Sequence, residues 1–211
     1  RTDGAREMSY LIGVAGTPGA GKTSLVLGLA RAIGDACAIH MDSYDNMTRL
    51  PLEAIAAWMR AGAEIDAFAF PRLEEDLRRL KGGLAIIDPV SRREVGPRKY
   101  VLFETQFGRA HRETGRHLDL VLWVDTPLDV ALARSIRASI AGFLREREPA
   151  RLEERVRWLD GYVGGYLATV RSLLLMQRQR VGGSADVMVD GQEPLELAVR
   201  AAHDAIVRRL P

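Results

Sequence analysis

Residues 16–23 read Gly16-Thr17-Pro18-Gly19-Ala20-Gly21-Lys22-Thr23, which fits G-x-x-x-x-G-K-[ST]. Glycines at this spacing let a loop curl so that its backbone N–H groups point inward around a phosphate. A helix starting at the end of the loop adds its positive dipole end. A lysine at position 22 reaches the β- and γ-phosphates, and a hydroxyl at 23 ligates Mg²⁺. The pattern therefore assigns ATP binding to Gly16, Thr17, Gly19, Ala20, Gly21, Lys22, Thr23 and Ser24, with Lys22 also catalytic. Moving a phosphoryl group onto a hydroxyl needs a group that orients and deprotonates that hydroxyl, and one that holds the water shell of Mg²⁺. Asp42 and Glu104 are candidates for both. Each stands at the end of an apolar run, and Tyr44 adjoins Asp42 as a candidate contact to the acceptor.

The motif requires a strand before it and a helix after it. Residues 10–15 (YLIGVA) form a short apolar run suited to a buried parallel strand. Residues 23–33 then place Leu25, Leu29 and Ile33 at helical spacing and stop at Gly34. Ala36–His40 reads as a second strand, ending just before Asp42. Residues 52–61 and 73–81 read as amphipathic helices. Residues 85–88 and 99–104 flank the polar, basic stretch SRREVGPRK, a hairpin or a surface excursion, and the second run ends on Glu104. Residues 118–124 form another strand, and Asp125-Thr126-Pro127 opens a long helix. Residues 150–180 are helical with a break at Gly164-Gly165, residues 186–189 a last strand and 195–210 a last helix. Strands alternating with helices predict an α/β domain, a mostly parallel sheet covered by helices on both faces. In such a sheet ligands bind at the carboxyl ends of the strands, which brings Asp42 and Glu104 to face the loop.

With 211 residues, 47% apolar and 27% charged, the chain is sized for one soluble domain. Residues 1–8 are polar and expected to be disordered or a cloning remnant, with residues 9–211 forming the domain. Net charge of +2 gives no general argument for nucleic acid, and no apolar run approaches membrane-spanning length. The single cysteine, Cys37, fits a reducing cytoplasm, and none of the four histidines stands at metal-ligand spacing. Only three lysines (22, 81 and 99) occur among 30 basic residues, and arginine is the better bidentate partner for phosphate. The arginine-rich stretch at residues 134–155 reads as a helical lid. Trp58, Trp123 and Trp158 read as packing residues, and the turn bearing Arg92, Arg93, Arg98 and Lys99 as a solvated tip.

The ordered series of motifs resembles the uridine kinase-like branch of P-loop kinases, related to phosphoribulokinase and pantothenate kinase. The resemblance rests on residues 16–23, on Asp42-Ser43-Tyr44 (similar to D-S-F-Y), on Asp66-Ala67-Phe68-Ala69-Phe70 (similar to D-A-F-D-F) and on Val101-Leu102-Phe103-Glu104. It continues through Val124-Asp125-Thr126, Asp129, Leu132 and Arg134, to Ala185-Asp186-Val187. It implies a P-loop fold, ATP and Mg²⁺ as cofactors, Asp42 as the acceptor-side base, and lid arginines, here Arg134 and Arg137, closing over the phosphates. The function expected is transfer of the γ-phosphoryl group of ATP to a hydroxyl of a small molecule, nucleoside-, sugar- or vitamin-like, by a monomer or homo-oligomer.

The departures fall on the lid and the acceptor side. The lid segment Arg134-Ser135-Ile136-Arg137-Ala138-Ser139 lacks one arginine and the aspartate of R-R-x-x-R-D, and Thr105 follows Glu104 where the family has Gly. Pro89-Val90-Ser91-Arg92-Arg93 replaces the segment that holds a pyrimidine nucleoside in the family, which argues against uridine or cytidine. Three other readings stay open: a P-loop ATPase, a non-catalytic nucleotide binder, and a nucleoside monophosphate kinase. Asp42 argues against the last, because a carboxylate repels an incoming phosphate dianion.

Overall fold

The computed structural model describes residues 8–44, 51–146 and 151–211. The expected disordered segment 1–8 thus lies outside the described residues except for Met8. Five strands form one parallel sheet: β1 (Tyr10–Gly16), β2 (Ala36–His40), β5 (Tyr100–Thr105), β6 (Leu120–Asp125) and β7 (Val187–Asp190), in the order β2-β5-β1-β6-β7. The chain crosses the sheet from β5 over β1 to β6, so the strand order reverses between β1 and β5. A crevice opens there at the carboxyl ends, where α/β sheets bind ligands.

Side-chain alternation builds two cores, one per face, which is why the strand sequences are apolar throughout. Ile12, Val14, Leu102, Leu120, Leu122 and Val124 pack against α1 (Lys22–Ile33) and α8 (Leu195–Arg209), through Leu25, Leu29, Ala202 and Ile206. On the other face Leu11, Ile39, Val101, Phe103, Val121 and Trp123 pack against α3 (Pro71–Lys81), through Leu73, Leu77 and Leu80. Glu104 has the parity of Leu102 and His40 that of Ala38, so both carry their side chains toward the α1 face at the top of the sheet.

Three details differ from the sequence reading. The hairpin joins β3 (Ile86–Ile87) to β4 (Glu94–Val95), and the run after it is β5, at the heart of the sheet. That run is buried on both faces, which a solvated hairpin arm could not be. Gly164-Gly165 does not break the helix: α6 (Leu152–Gly165) passes through a π-helical turn, Tyr166–Val170, into α7 (Arg171–Arg180). The long helix α5 (Leu128–Glu146) already contains residues 134–146, so the lid segment is helical on either side of residues 147–150, which lie outside the described residues. α2 (Leu52–Arg60) and α4 (Arg112–Gly115) complete the helices. Among the described residues no helix is long and apolar enough to cross a membrane.

Candidate active site

The phosphate loop runs from the end of β1 into α1. Gly19 has φ 77° and Gly21 φ 102°, a region closed to most side chains. A Cβ on Gly19 would also collide with the Ala131 carbonyl of α5. α1 begins without a side-chain cap and without an acidic residue in its first turn, so its leading N–H groups and dipole are left for an anion. The Thr17 hydroxyl is buried and has no hydrogen-bond partner among the described residues, a polar atom that a bound phosphate chain would satisfy. Lys22 lies across the loop and donates from Nζ to the Thr17 carbonyl at 3.1 Å. Burial pulls its ammonium below its ordinary pKa, while the charges of Glu104 and Asp42 push the other way.

Glu104 joins three elements. Its Oε1 accepts from the Thr23 hydroxyl at 2.8 Å, and its Oε2 is 2.5 Å from His40 Nδ1 on the neighbouring strand. Burial alone would raise its pKa. The hydrogen bonds from His40 and Thr23 and the charge of Lys22 outweigh that and keep it below the usual carboxylate range. The same bond to Glu104 lifts His40 above an ordinary imidazole, against the pull of burial. Thr23 and Glu104 form an all-oxygen pair, the donor chemistry Mg²⁺ takes. Among the described residues no cluster of three His, Cys, Asp or Glu could hold a metal ion.

Asp42 sits on a 3₁₀ turn, Met41–Ser43, directly after β2, exposed at the crevice. Its Oδ1 accepts from Gln106 Nε2 at 3.2 Å. Lys22, Thr23, Asp42 and Glu104 therefore converge as the sequence reading expected. His40 and Gln106 join them unannounced by any motif. Tyr44 turns elsewhere: its hydroxyl donates to Asp76 of α3 at 2.9 Å, and burial with that bond pushes its pKa up. Behind the loop lies a cavity of about 240 Å³ lined by Ala20, Gly21, Ser24, Arg134, Gly191 and Glu193. Arg134 closes it by donating to the Gly191 carbonyl at 2.8 Å. Arg137, one turn further along α5, is exposed.

The remaining candidates divide. Trp123 is core, as expected, and Trp58 donates to the Glu64 carbonyl at 2.9 Å. Trp158 is exposed, stacks on Tyr162 and meets Phe143 of α5 in a T-shaped pair. Arg92, Arg93, Arg98 and Lys99 are all exposed. Asp125 is held by a bidentate pair with Arg178 (2.9 and 2.7 Å), which keeps its carboxyl below its ordinary range.

No family profile matches the chain. The uridine kinase of Brevibacillus brevis is 31% identical over 196 residues, covering 85% of this chain and 83% of that one. The uridine kinase of Chloroflexus aggregans is 27% identical over 213 residues, covering 95% and 93%. Among solved structures, a sugar kinase from Janibacter sp. HTCC2649 superposes with a TM-score of 0.51 at 18% identity, covering 96% of each chain. A putative fructose transport system kinase from Silicibacter sp. TM1040 gives 0.50 at 20%, covering 88% and 92%. At those identities the structural likeness is one of fold. Taken with the loop, its helix and the two carboxylates, the sequence relationship places this chain in the uridine kinase family of P-loop kinases.

Proposed function

We propose that the chain uses ATP and Mg²⁺ to phosphorylate a small-molecule alcohol, with Asp42 as the base and Lys22 as the principal electrophilic group. The kinase class follows from the family; the roles of residues rest on the convergence of Lys22, Thr23, Asp42 and Glu104 at one crevice. Adenine fits the cavity behind the loop, between Arg134 and Glu193. The loop N–H groups and Lys22 take the β- and γ-phosphate oxygens, where charge grows as the bridging oxygen departs. Thr23 would hold Mg²⁺ directly and Glu104 through water, and the ion would neutralise the phosphate chain. Asp42 orients the acceptor hydroxyl and takes its proton as the oxygen bonds to the γ-phosphorus. The bond to the β–γ bridging oxygen breaks, and ADP leaves with that electron pair. Arg134 and Arg137 close from α5. A cytoplasmic setting belongs to this reading, supported by the lone Cys37 and by ATP as donor.

The relatives are named uridine kinases. Here Pro89-Val90-Ser91-Arg92-Arg93 stands where the family holds a pyrimidine nucleoside, and that does not favour a pyrimidine. Asp42→Asn keeps the shape and removes the basicity. ATP affinity should stay nearly unchanged while kcat falls by roughly a hundred-fold or more. Wild-type turnover in this variant would move the base to another group.

A further inference from the structure

A second cavity, of about 260 Å³, opens on the other side of the phosphate loop. Pro18 of the loop and Leu132 of α5 form one wall, Ile55 and Trp58 of α2 another, and Tyr166 and Leu173 of the α6–α7 arm a third. Gln106 also lines it, and Gln106 is the residue bonded to Asp42. The cavity thus runs from the phosphate loop to the residue that holds the proposed base.

The π-helical turn builds the third wall. Stepping four residues along an α-helix rotates the side chain by about 40°, so Tyr162, Tyr166, Val170 and Leu174 would drift off one face. The wider π turn over Tyr166–Val170 absorbs that drift, and all four line the cavity. Single π turns inside α-helices occur frequently at functional sites.

The cavity offers few hydrogen bonds. Gln177 donates its amide to the Gln106 carbonyl at 2.5 Å, and Arg180 donates to the Ala63 and Gly62 carbonyls at 3.0 and 3.4 Å. The hydroxyls of Ser135, Tyr162 and Tyr166 remain, with the unused amide and guanidinium groups of Gln106, Gln177 and Arg180, and the other lining side chains are apolar. A sugar or a nucleoside carries more hydroxyl and amide groups than these can meet, and each one buried without a partner costs roughly five-fold or more in affinity. An apolar ring would lose nothing comparable. A dry cavity of about 150 Å³ accommodates benzene, so this one has room for a ring with a short chain, or for two fused rings.

Building on the kinase reading, we propose that the phosphoryl acceptor is an alcohol with a predominantly apolar, ring-bearing body, seated in this cavity with its hydroxyl at Gln106 and Asp42. The test compares phenylpropanol and naphthylethanol with uridine and fructose, by ATP-dependent ADP release and by calorimetry with a non-hydrolysable ATP analogue present. The aryl alcohols should bind, and kcat/KM for the better of them should exceed that for uridine and fructose by roughly a hundred-fold, two or three unpaired groups' worth of discrimination. Leu173→Trp and Ile55→Trp fill the cavity from opposite walls. Each should cut kcat/KM for the aryl alcohol at least about ten-fold while the Kd for the ATP analogue holds. Two variants guard against one failing to fold. Equal or better use of uridine or fructose overturns the acceptor class and leaves the kinase intact. Failure of the aryl alcohols to bind overturns the cavity's role. Aryl-alcohol binding with no ADP release from any compound overturns the kinase reading, and the acceptor proposal with it.

Discussion

Glu104 links the loop, the strand edge and the ammonium of Lys22, so its replacement separates metal from base. Glu104→Gln retains a hydrogen-bond acceptor for Thr23 and loses the charge. The Mg²⁺ concentration for half-maximal activity should rise roughly ten- to hundred-fold, the usual scale for an outer-shell carboxylate, with kcat at saturating Mg²⁺ less affected. An unchanged Mg²⁺ dependence would remove Glu104 from the metal site. The residues that do the chemistry in this account were readable in the sequence where a motif fixes them: Lys22 and Thr23 by spacing, Asp42 and Glu104 by ending strands. His40 and Gln106 were not. His40 reaches Glu104 only because β2 and β5 pair in the register that sets the two opposite each other, and no local pattern encodes a register between strands 64 residues apart. Tyr44 shows the converse. Its place beside Asp42 suggested a substrate contact, but Asp76, buried on α3, claims its hydroxyl.

At the scale of elements, α5 and α6 form an arm whose two helices are tied by Arg155. It donates to the Phe143 carbonyl at 2.9 Å and lies 5.5 Å from the ring centre of Phe143. If the arm closes on nucleotide, residues 134–146 and 151–155 should gain protection from hydrogen exchange when an ATP analogue and acceptor bind together, because closure orders a region of low local stability. Arg137→Ala should then lower kcat more than it raises the KM for ATP, its contact being tightest in the closed state. Identical exchange with and without ligands would make α5 a fixed helix with an exposed charged face. The periodicity of apolar residues marked nearly every helix and strand, but not the π turn or the passage through Gly164-Gly165. Glycine lowers helix propensity by about 1 kcal/mol, so two in a row mark a break in the sequence pattern. Tertiary packing prevails here, since Gly165, Tyr166 and Leu174 are buried along one continuous arm.

For the whole molecule, the alternation of strands and helices carried the fold, because a sheet buried on both faces leaves short uninterrupted apolar runs between amphipathic helical segments. The strand order and the crevice between β1 and β5 follow from that topology. The acceptor pocket was not legible, because its walls come from α2, α5 and the α6–α7 arm, which meet only in three dimensions. The crevice passes a phosphoryl group to an alcohol rather than to water. A label on the γ-phosphorus of ATP, followed through incubation with a mixture of hydroxyl compounds that includes aryl alcohols, reports on this transfer. The expected result is label on an organic phosphate ester, in step with ADP, and lost in Lys22→Ala, because that change removes the charge that stabilises the departing bridging oxygen. Label found only in orthophosphate would mean that the crevice transfers to water, and an ester formed equally well by Lys22→Ala would place the transfer outside this crevice.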